Sequence, residues 1–218
     1  MRRILFLFLI AGALQINAQE AVAVSKEPMH KNVFENEYLR VLDVRISPGD
    51  TTLFHKHETP SVFISLHPAR TGSQVIIEDG SATVLSLDRR ITFEGFYKSP
   101  RIHRVWNADT SGFHVMDVEI LTKGDRKTEA PITLPEFKQL FDAQPVRVYR
   151  VTVKSNQDIE IKRNAPVLVV GLDDAGKVMV NDKSFLREGD FLFIPSSKKI
   201  KLVNKDQKEY SFALLELK

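Results

Sequence analysis

The chain has 218 residues, with 31 lysines and arginines against 28 aspartates and glutamates, and it contains no cysteine. Without cysteine there can be no disulfide, no thiolate metal ligand and no nucleophilic thiol. The formal net charge is only +3, and no basic block is interleaved with aromatic residues, so we expect no nucleic-acid partner.

The first 18 residues are typical of a secretory signal peptide. Arg2 and Arg3 precede an apolar run from Ile4 to Leu14, and a small residue, Ala18, stands where cleavage is expected. The run is too short to span a membrane, and no comparable apolar stretch follows it. We therefore expect cleavage near Ala18 and a mature protein, without a membrane span, that is exported to the periplasm or secreted.

The rest of the chain is predicted to be all-β, apart from one helix. Short runs rich in β-branched residues recur between turn sequences such as SPGD and TKGD, which favours a β-sandwich or barrel. A short helix is predicted in TLPEFKQLFDAQP, because Thr133 and Glu136 form a capping-box pattern. The apolar residues of this segment then share one helical face: Phe137, Leu140 and Phe141.

The two halves on either side of this helix resemble each other. RVLDVRI at 40–46 parallels RVYRVTV at 147–153, and MDVEIL at 116–121 parallels ALLELK at 213–218. Such self-similarity indicates an internal duplication. The domains expected from it are a signal peptide (1–18), a first barrel (19–125), a linker with the short helix (126–145) and a second barrel (146–218).

His55 and His57 lie two residues apart in a predicted strand. Side chains alternate along a strand, so both rings project to one face, about 7 Å apart. Two neutral imidazoles there could bind one ion, and His103 from a neighbouring strand would complete a three-histidine set with open positions. In the second half the alignment puts Ile161 and Arg163 at the positions of the pair, so only the first half is predicted to bind metal.

These residues also occur in a recognisable arrangement. Gly49, then five residues, then His55 and His57, resembles the first motif of the cupin superfamily, and His103 with Asn107 resembles the second. The resemblance implies an exported bicupin. Its fold would be two double-stranded β-helix (jelly-roll) barrels joined by the short helix, with a metal-binding first barrel and a degenerate second one.

One departure from the pattern concerns the ligands. Ser61 stands where the family usually carries a glutamate ligand. Three outcomes are open: a site of three histidines, a site completed by another carboxylate such as Glu58 near the bend at Pro60, or a barrel that has lost its metal. His114 is either a fourth ligand or a core histidine, the latter being the commoner case. Arg101 shares the strand parity of His103, and it could steer an anionic substrate or be solvated on the barrel rim.

The function expected from the resemblance is that of a metalloprotein for a small molecule. The cofactor would be one divalent metal ion, and the sequence does not distinguish Fe, Mn, Ni, Cu or Zn. The leading hypothesis is an oxygenase-type reaction on a small chelating organic substrate. The alternative is a non-catalytic bicupin that binds a small molecule with or without metal, and a homodimer is compatible with either.

Overall fold

The computed structural model describes the following residues: 20–77, 82–84, 90–95, 98–127, 129–196 and 198–218. The expected signal peptide lies outside them. Within them, no helix combines the length and the apolar character that a membrane span requires.

The described residues form nineteen strands and one short 3₁₀ helix, Val24–Lys26. The strands are β1 (Val22–Ala23), β2 (His30–Glu35), β3 (Leu39–Ile46), β4 (His55–His57), β5 (Ser61–His67), β6 (Thr71–Ile77), β7 (Ala82–Val84), β8 (Ile91–Gly95), β9 (Arg101–Asn107), β10 (Phe113–Ile120), β11 (Phe137–Asp142), β12 (Val146–Val153), β13 (Gln157–Arg163), β14 (Val167–Gly171), β15 (Val178–Val180), β16 (Lys183–Phe185), β17 (Phe191–Ile194), β18 (Lys198–Asn204) and β19 (Tyr210–Leu217).

Each half of the chain contributes two sheets. In the first half their orders are β1-β4-β9-β6 and β2-β3-β10-β5-β8-β7, and in the second half β11-β12-β19-β14-β17 and β13-β18-β15-β16. In both halves strands distant in sequence lie side by side, as in a jelly-roll barrel. The predicted all-β fold of two barrels is confirmed.

Two asparagines hold equivalent turns in the two barrels. Asn107 closes β9, Asn204 closes β18, and each donates from Nδ2 to two main-chain carbonyls, at 3.0 and 2.8 Å in both cases. In each, Oδ1 also accepts the amide hydrogen two residues further on, at 2.9 Å. The second half therefore repeats the first in its turn chemistry as well as in its strand order.

The helix predicted between the halves is wrong, because Phe137–Asp142 forms strand β11. This strand pairs antiparallel with β12, and the register shifts between Gln139 and Phe141. Such a bulge inserts one extra residue, so Phe137, Leu140 and Phe141 are all buried although they are spaced like one face of a helix. Strand β2 carries a similar shift where it pairs with β3, so β11 is the first strand of the second repeat.

The larger sheets of the two barrels pack against each other through a shared hydrophobic core. Ile64 and Phe93 from the first barrel belong to the same buried cluster as Phe141 and Leu168 from the second. The rings of Phe93 and Phe141 are 5.9 Å apart. Because one face of the first barrel's larger sheet is used in this contact, its other face is left to line the barrel interior.

Candidate metal centre

The three predicted histidines come together inside the first barrel. Strands β4 and β9 pair antiparallel, which places His55 directly opposite His103 and His57 opposite Arg101. Among the described residues, one group of possible ligands has its atoms within 4.8 Å of one another, and it consists of His55, His57 and His103. All three are buried, with at most 7% of their surface exposed.

The ring nitrogens of the cluster converge as ligand atoms would. Nε2 of His57 lies 3.1 Å from Nε2 of His103. Two nitrogens bound to one ion at 2.0–2.1 Å would be separated by roughly 3 Å. His55 Nδ1 donates to the carbonyl of Leu53 at 2.9 Å, which leaves its Nε2 lone pair available. His103 Nδ1 lies 3.3 Å from the Ser73 hydroxyl, which can hold that ring in orientation.

The cluster is neutral in the ordinary pH range. Burial lowers the pKa of His55 to about 4 and that of His103 to about 3, and it holds the pKa of His57 well below its usual range. Neighbouring imidazoles add to the effect, since each ring would repel a second positive charge. Metal ions bind the deprotonated ring, so these histidines fit a divalent ion without first losing protons.

The carboxylate expected at position 61 has no direct replacement within the cluster. Ser61 lies opposite Glu94 of β8, so the two side chains share one face of the sheet. The Glu94 carboxylate instead accepts a hydrogen bond of 2.6 Å from Nη1 of Arg101. Glu58 is not brought to the site either, because its exposed side chain pairs with Lys56 at 3.1 Å.

His114 is a structural histidine and not a fourth ligand. It lies on the face of β10 that is turned towards the second barrel, where Nε2 is 2.7 Å from Asp43 Oδ1 and Nδ1 is 3.5 Å from Glu188 Oε1. Glu188 belongs to the second barrel, so this contact links the barrels. Of the two sequence-based alternatives for His114, the buried structural role is correct.

Asp117 is a site residue that sequence reasoning missed. Its carboxyl group lies 3.7 Å from His57 Nδ1 and is only 1% exposed. Burial and the nearby Glu119 carboxylate raise the pKa of Asp117 well above its usual range, while the Ser61 hydroxyl opposes this rise. The sequence FHVMDVEI does carry a signal for a buried acidic group. Its two acidic residues interrupt an apolar strand, and they alternate with its apolar residues so that they lie on the face turned to the barrel interior.

A cavity of about 350 Å³ adjoins the cluster. Apolar side chains form much of its wall: Val44, Ile46, Phe63, Val105, Phe113 and Val115. Its polar lining includes the three histidines, Arg101, Glu94 and Asp117, together with His30, a second residue that the sequence did not single out. Arg101 therefore reaches the cavity wall, as the steering hypothesis requires.

Comparison with known proteins identifies the fold. No family model matches the sequence, and no curated protein matches it. Among solved structures, YhhW from Escherichia coli aligns with a TM-score of 0.58 at 11% identity, covering 88% of this chain and 89% of that one. The cupin 2 conserved barrel domain protein from Leptotrichia buccalis aligns with a TM-score of 0.50 at 11% identity, covering 86% and 88%.

A third match is an enzyme. The salicylate 1,2-dioxygenase from Pseudaminobacter salicylatoxidans aligns with a TM-score of 0.54 at 10% identity, covering 83% of this chain and 71% of that one. It has also been solved as adducts with gentisate. At such low identities the likeness concerns the fold alone. The chain has the cupin fold, and its three-histidine cluster fits a metal site.

Proposed function

From the cupin fold and the three-histidine cluster, we propose that the protein binds one divalent metal ion through His55, His57 and His103 and acts on a small chelating organic acid in the adjoining cavity. The observation that carries the proposal is the convergence of three buried neutral imidazoles whose ligand atoms lie within 4.8 Å of one another. Burying polar groups costs free energy unless they find partners, and a metal ion would be the common partner of all three.

A bound redox-active ion such as iron would supply the Lewis acidity and electron transfer of an oxygenase-type reaction. The chain's own residues would prepare the site for it. Leu53 fixes the tautomer of His55 through its carbonyl, and apolar side chains form much of the cavity wall. Neutral ligands leave the full positive charge on the ion, which favours an anionic chelator. Arg101 lines the same cavity and could contact such an anion, although Glu94, at 2.6 Å, offsets its charge.

The class of substrate follows from the cavity. A volume of about 350 Å³ with a largely apolar wall suits a compact, flat molecule. The salicylate dioxygenase that shares the fold has been solved with gentisate, a ligand of this kind, which supports hydroxylated aromatic acids as the first compounds to test.

The second barrel would have a supporting role in this proposal, which makes the protein a bicupin with one active barrel. Where the first barrel has His55 opposite His103, the second has Ile161 opposite Ile200. Arg163, at the position of His57, is bound to Glu216 in a buried ion pair. The second barrel would then stabilise the first by covering its larger sheet.

Oxygen uptake tests the enzymatic part of the proposal. The protein, purified without a histidine tag, would be reconstituted separately with Fe²⁺, Mn²⁺, Ni²⁺, Cu²⁺ and Zn²⁺ and offered a panel of hydroxylated aromatic acids. We expect substrate-dependent oxygen consumption with a redox-active ion, its loss in His57→Ala, and its retention in His67→Ala, which changes an exposed histidine outside the cluster.

The alternative, a binding protein without turnover, predicts a different result from the same samples. Compounds of the panel would raise the melting temperature of the metal-loaded protein, since a ligand that binds the native state stabilises it. No oxygen would be consumed with any of the ions. That outcome would overturn the oxygenase role and leave the metal site intact.

Export is a separate proposal, drawn from residues 1–18. An exported protein would be cleaved near Ala18. Intact-mass measurement of protein recovered from the periplasm or the medium checks it, and a full-length chain found only in the cytoplasm would refute it.

A further inference from the structure

His30 is brought to the cavity by the segment that precedes the first barrel's larger sheet. Strand β1 pairs parallel with β4, with Val22 opposite His55, and the chain then turns through the 3₁₀ helix to His30 at the start of β2. The His30 ring lies against that of His55, with centroids 4.7 Å apart, and it lines the same cavity. It is only 7% exposed.

Glu27 holds this ring in place. Its Oε2 accepts hydrogen bonds from His30 Nδ1 and from the Met29 amide, both at 2.6 Å, and its Oε1 accepts one from the Leu53 amide at 3.1 Å. Burial alone would raise the pKa of Glu27, but the hydrogen bonds that its carboxylate accepts, first of all the one from His30, outweigh it and keep that pKa below its usual value. A carboxylate can only accept, so Nδ1 of His30 carries the hydrogen.

In the neutral ring, the other nitrogen of His30, Nε2, then has an acceptor lone pair. His30 is not part of the described group whose ligand atoms lie within 4.8 Å of one another. Among the described residues, the only hydrogen bond of its ring is the one from Nδ1. Taking a histidine and a carboxylate out of water is costly, and a purely apolar pair could fill the same volume. This arrangement is instead suited to contact with a polar ligand.

We propose that His30 is a ligand-positioning residue: its Nε2 accepts a hydrogen bond from a hydroxyl group of the small organic acid that reaches the three-histidine cluster, while Glu27 fixes the tautomer that makes this possible. The inference rests on the proposed function and deepens it, because it assigns a free hydroxyl to the ligand. Arg101, in the wall of the same cavity, would interact with the ligand's acidic group.

A pair of probes tests this role without turnover. The protein would be reconstituted with Zn²⁺, which has no redox chemistry, and titrated with gentisate and with 5-methoxysalicylate. Both compounds can chelate through the same carboxylate and 2-hydroxyl group, and they differ only in the methylation of the 5-hydroxyl. Metal content would be measured on every sample. We expect wild type to prefer the free hydroxyl by about tenfold, as one hydrogen bond allows.

Variants of His30 then test whether this residue causes the preference for the free hydroxyl. In His30→Phe, which keeps a ring of similar size without nitrogen, zinc content should stay at the wild-type level and the preference should fall to about onefold. In His30→Gln, which restores a polar acceptor, part of the preference should return. His67→Phe is the control for adding an apolar ring at an exposed histidine, and it should behave like wild type.

The other possible results of this experiment contradict either the role of His30 or the metal site itself. Equal preference in wild type and in His30→Phe would overturn the role of His30, as would a wild type that holds zinc but binds both probes equally. Loss of zinc from both His30 variants would assign His30 to the support of the metal site instead. If wild type holds no zinc, the proposed function itself fails, and the role of His30 fails with it.

Discussion

Ile161 lies directly opposite Ile200 across β13 and β18, in the register that His55 and His103 occupy across β4 and β9. The two barrels thus share one framework, and they differ at the positions where a metal would be bound. One ion per chain is the stoichiometry that this difference predicts. The same comparison allows control substitutions in the second barrel that match those in the first.

The neutral histidines predict how stability depends on pH in the metal-free protein. The pKa of His103 is about 3 in the folded chain against an ordinary value of 6.5. As the pH falls below 6.5, His103 binds a proton in the unfolded chain but stays neutral in the folded chain. The free energy of unfolding therefore falls until the pH reaches about 3. Each pKa unit corresponds to about 1.4 kcal/mol.

The measurement is a series of denaturant unfolding curves with chelator present, for wild type and for His103→Asn. Asp117, whose pKa is raised, contributes with the opposite sign, and the comparison of two proteins that both retain it removes most of that contribution. We expect the stability of wild type relative to His103→Asn to fall as the pH is lowered from 6.5 to 4. A constant difference would contradict the neutral buried state of His103.

Because residues 137–142 form the bulged strand β11, we can predict which substitutions between the barrels lower the free energy of unfolding. Thr133 is exposed, and without a helix it has no capping role, so Thr133→Ala should change the free energy of unfolding by less than about 0.5 kcal/mol. Phe141 is buried in the shared core, and Phe141→Ala should cost about 3–5 kcal/mol. A loss of about 1 kcal/mol in Thr133→Ala would instead support the helix that the sequence suggested.

Alanine substitutions at two glycines with the same backbone angle can distinguish the cost of backbone strain from the cost of a steric clash between the barrels. Gly49 and Gly189 both have a φ of 81°. A Cβ at Gly49 would meet nothing within 4 Å, whereas one at Gly189 would lie 2.9 Å from Leu66 Cδ1 of the first barrel. We expect Gly49→Ala to cost roughly 1 kcal/mol from strain, and Gly189→Ala roughly 1–3 kcal/mol more.

Thermal and denaturant unfolding of both alanine variants measure this difference. Equal losses would mean that the Leu66 side chain or the loop around Gly189 can shift at no cost. In that case the barrels would be less rigidly docked than the shared core indicates.

The sequence predicted two kinds of site residue: the pair fixed by local spacing, and His103, which was found through the resemblance to the second cupin motif. His55 and His57 had to share a face because strand side chains alternate, and the duplication gave the equivalent positions in the second barrel. Glu27 and His30 were missed because they reach the site through a turn and strand pairing, which no local spacing encodes. The alternation in FHVMDVEI does place Asp117 on the interior face, but it does not show that β10 passes beside His57. The helix was predicted wrongly for a related reason, since a bulge between Gln139 and Phe141 reproduces helical spacing within a strand.

Elemental analysis of untagged protein, before and after reconstitution, tests the metal centre most directly. We expect close to one divalent metal ion per chain in wild type and in Ile200→Ala, and almost none in His103→Ala, with all three proteins folded. Wild-type protein that holds no stoichiometric metal even after reconstitution, or His103→Ala that retains it in full, would contradict a metal site built from His55, His57 and His103.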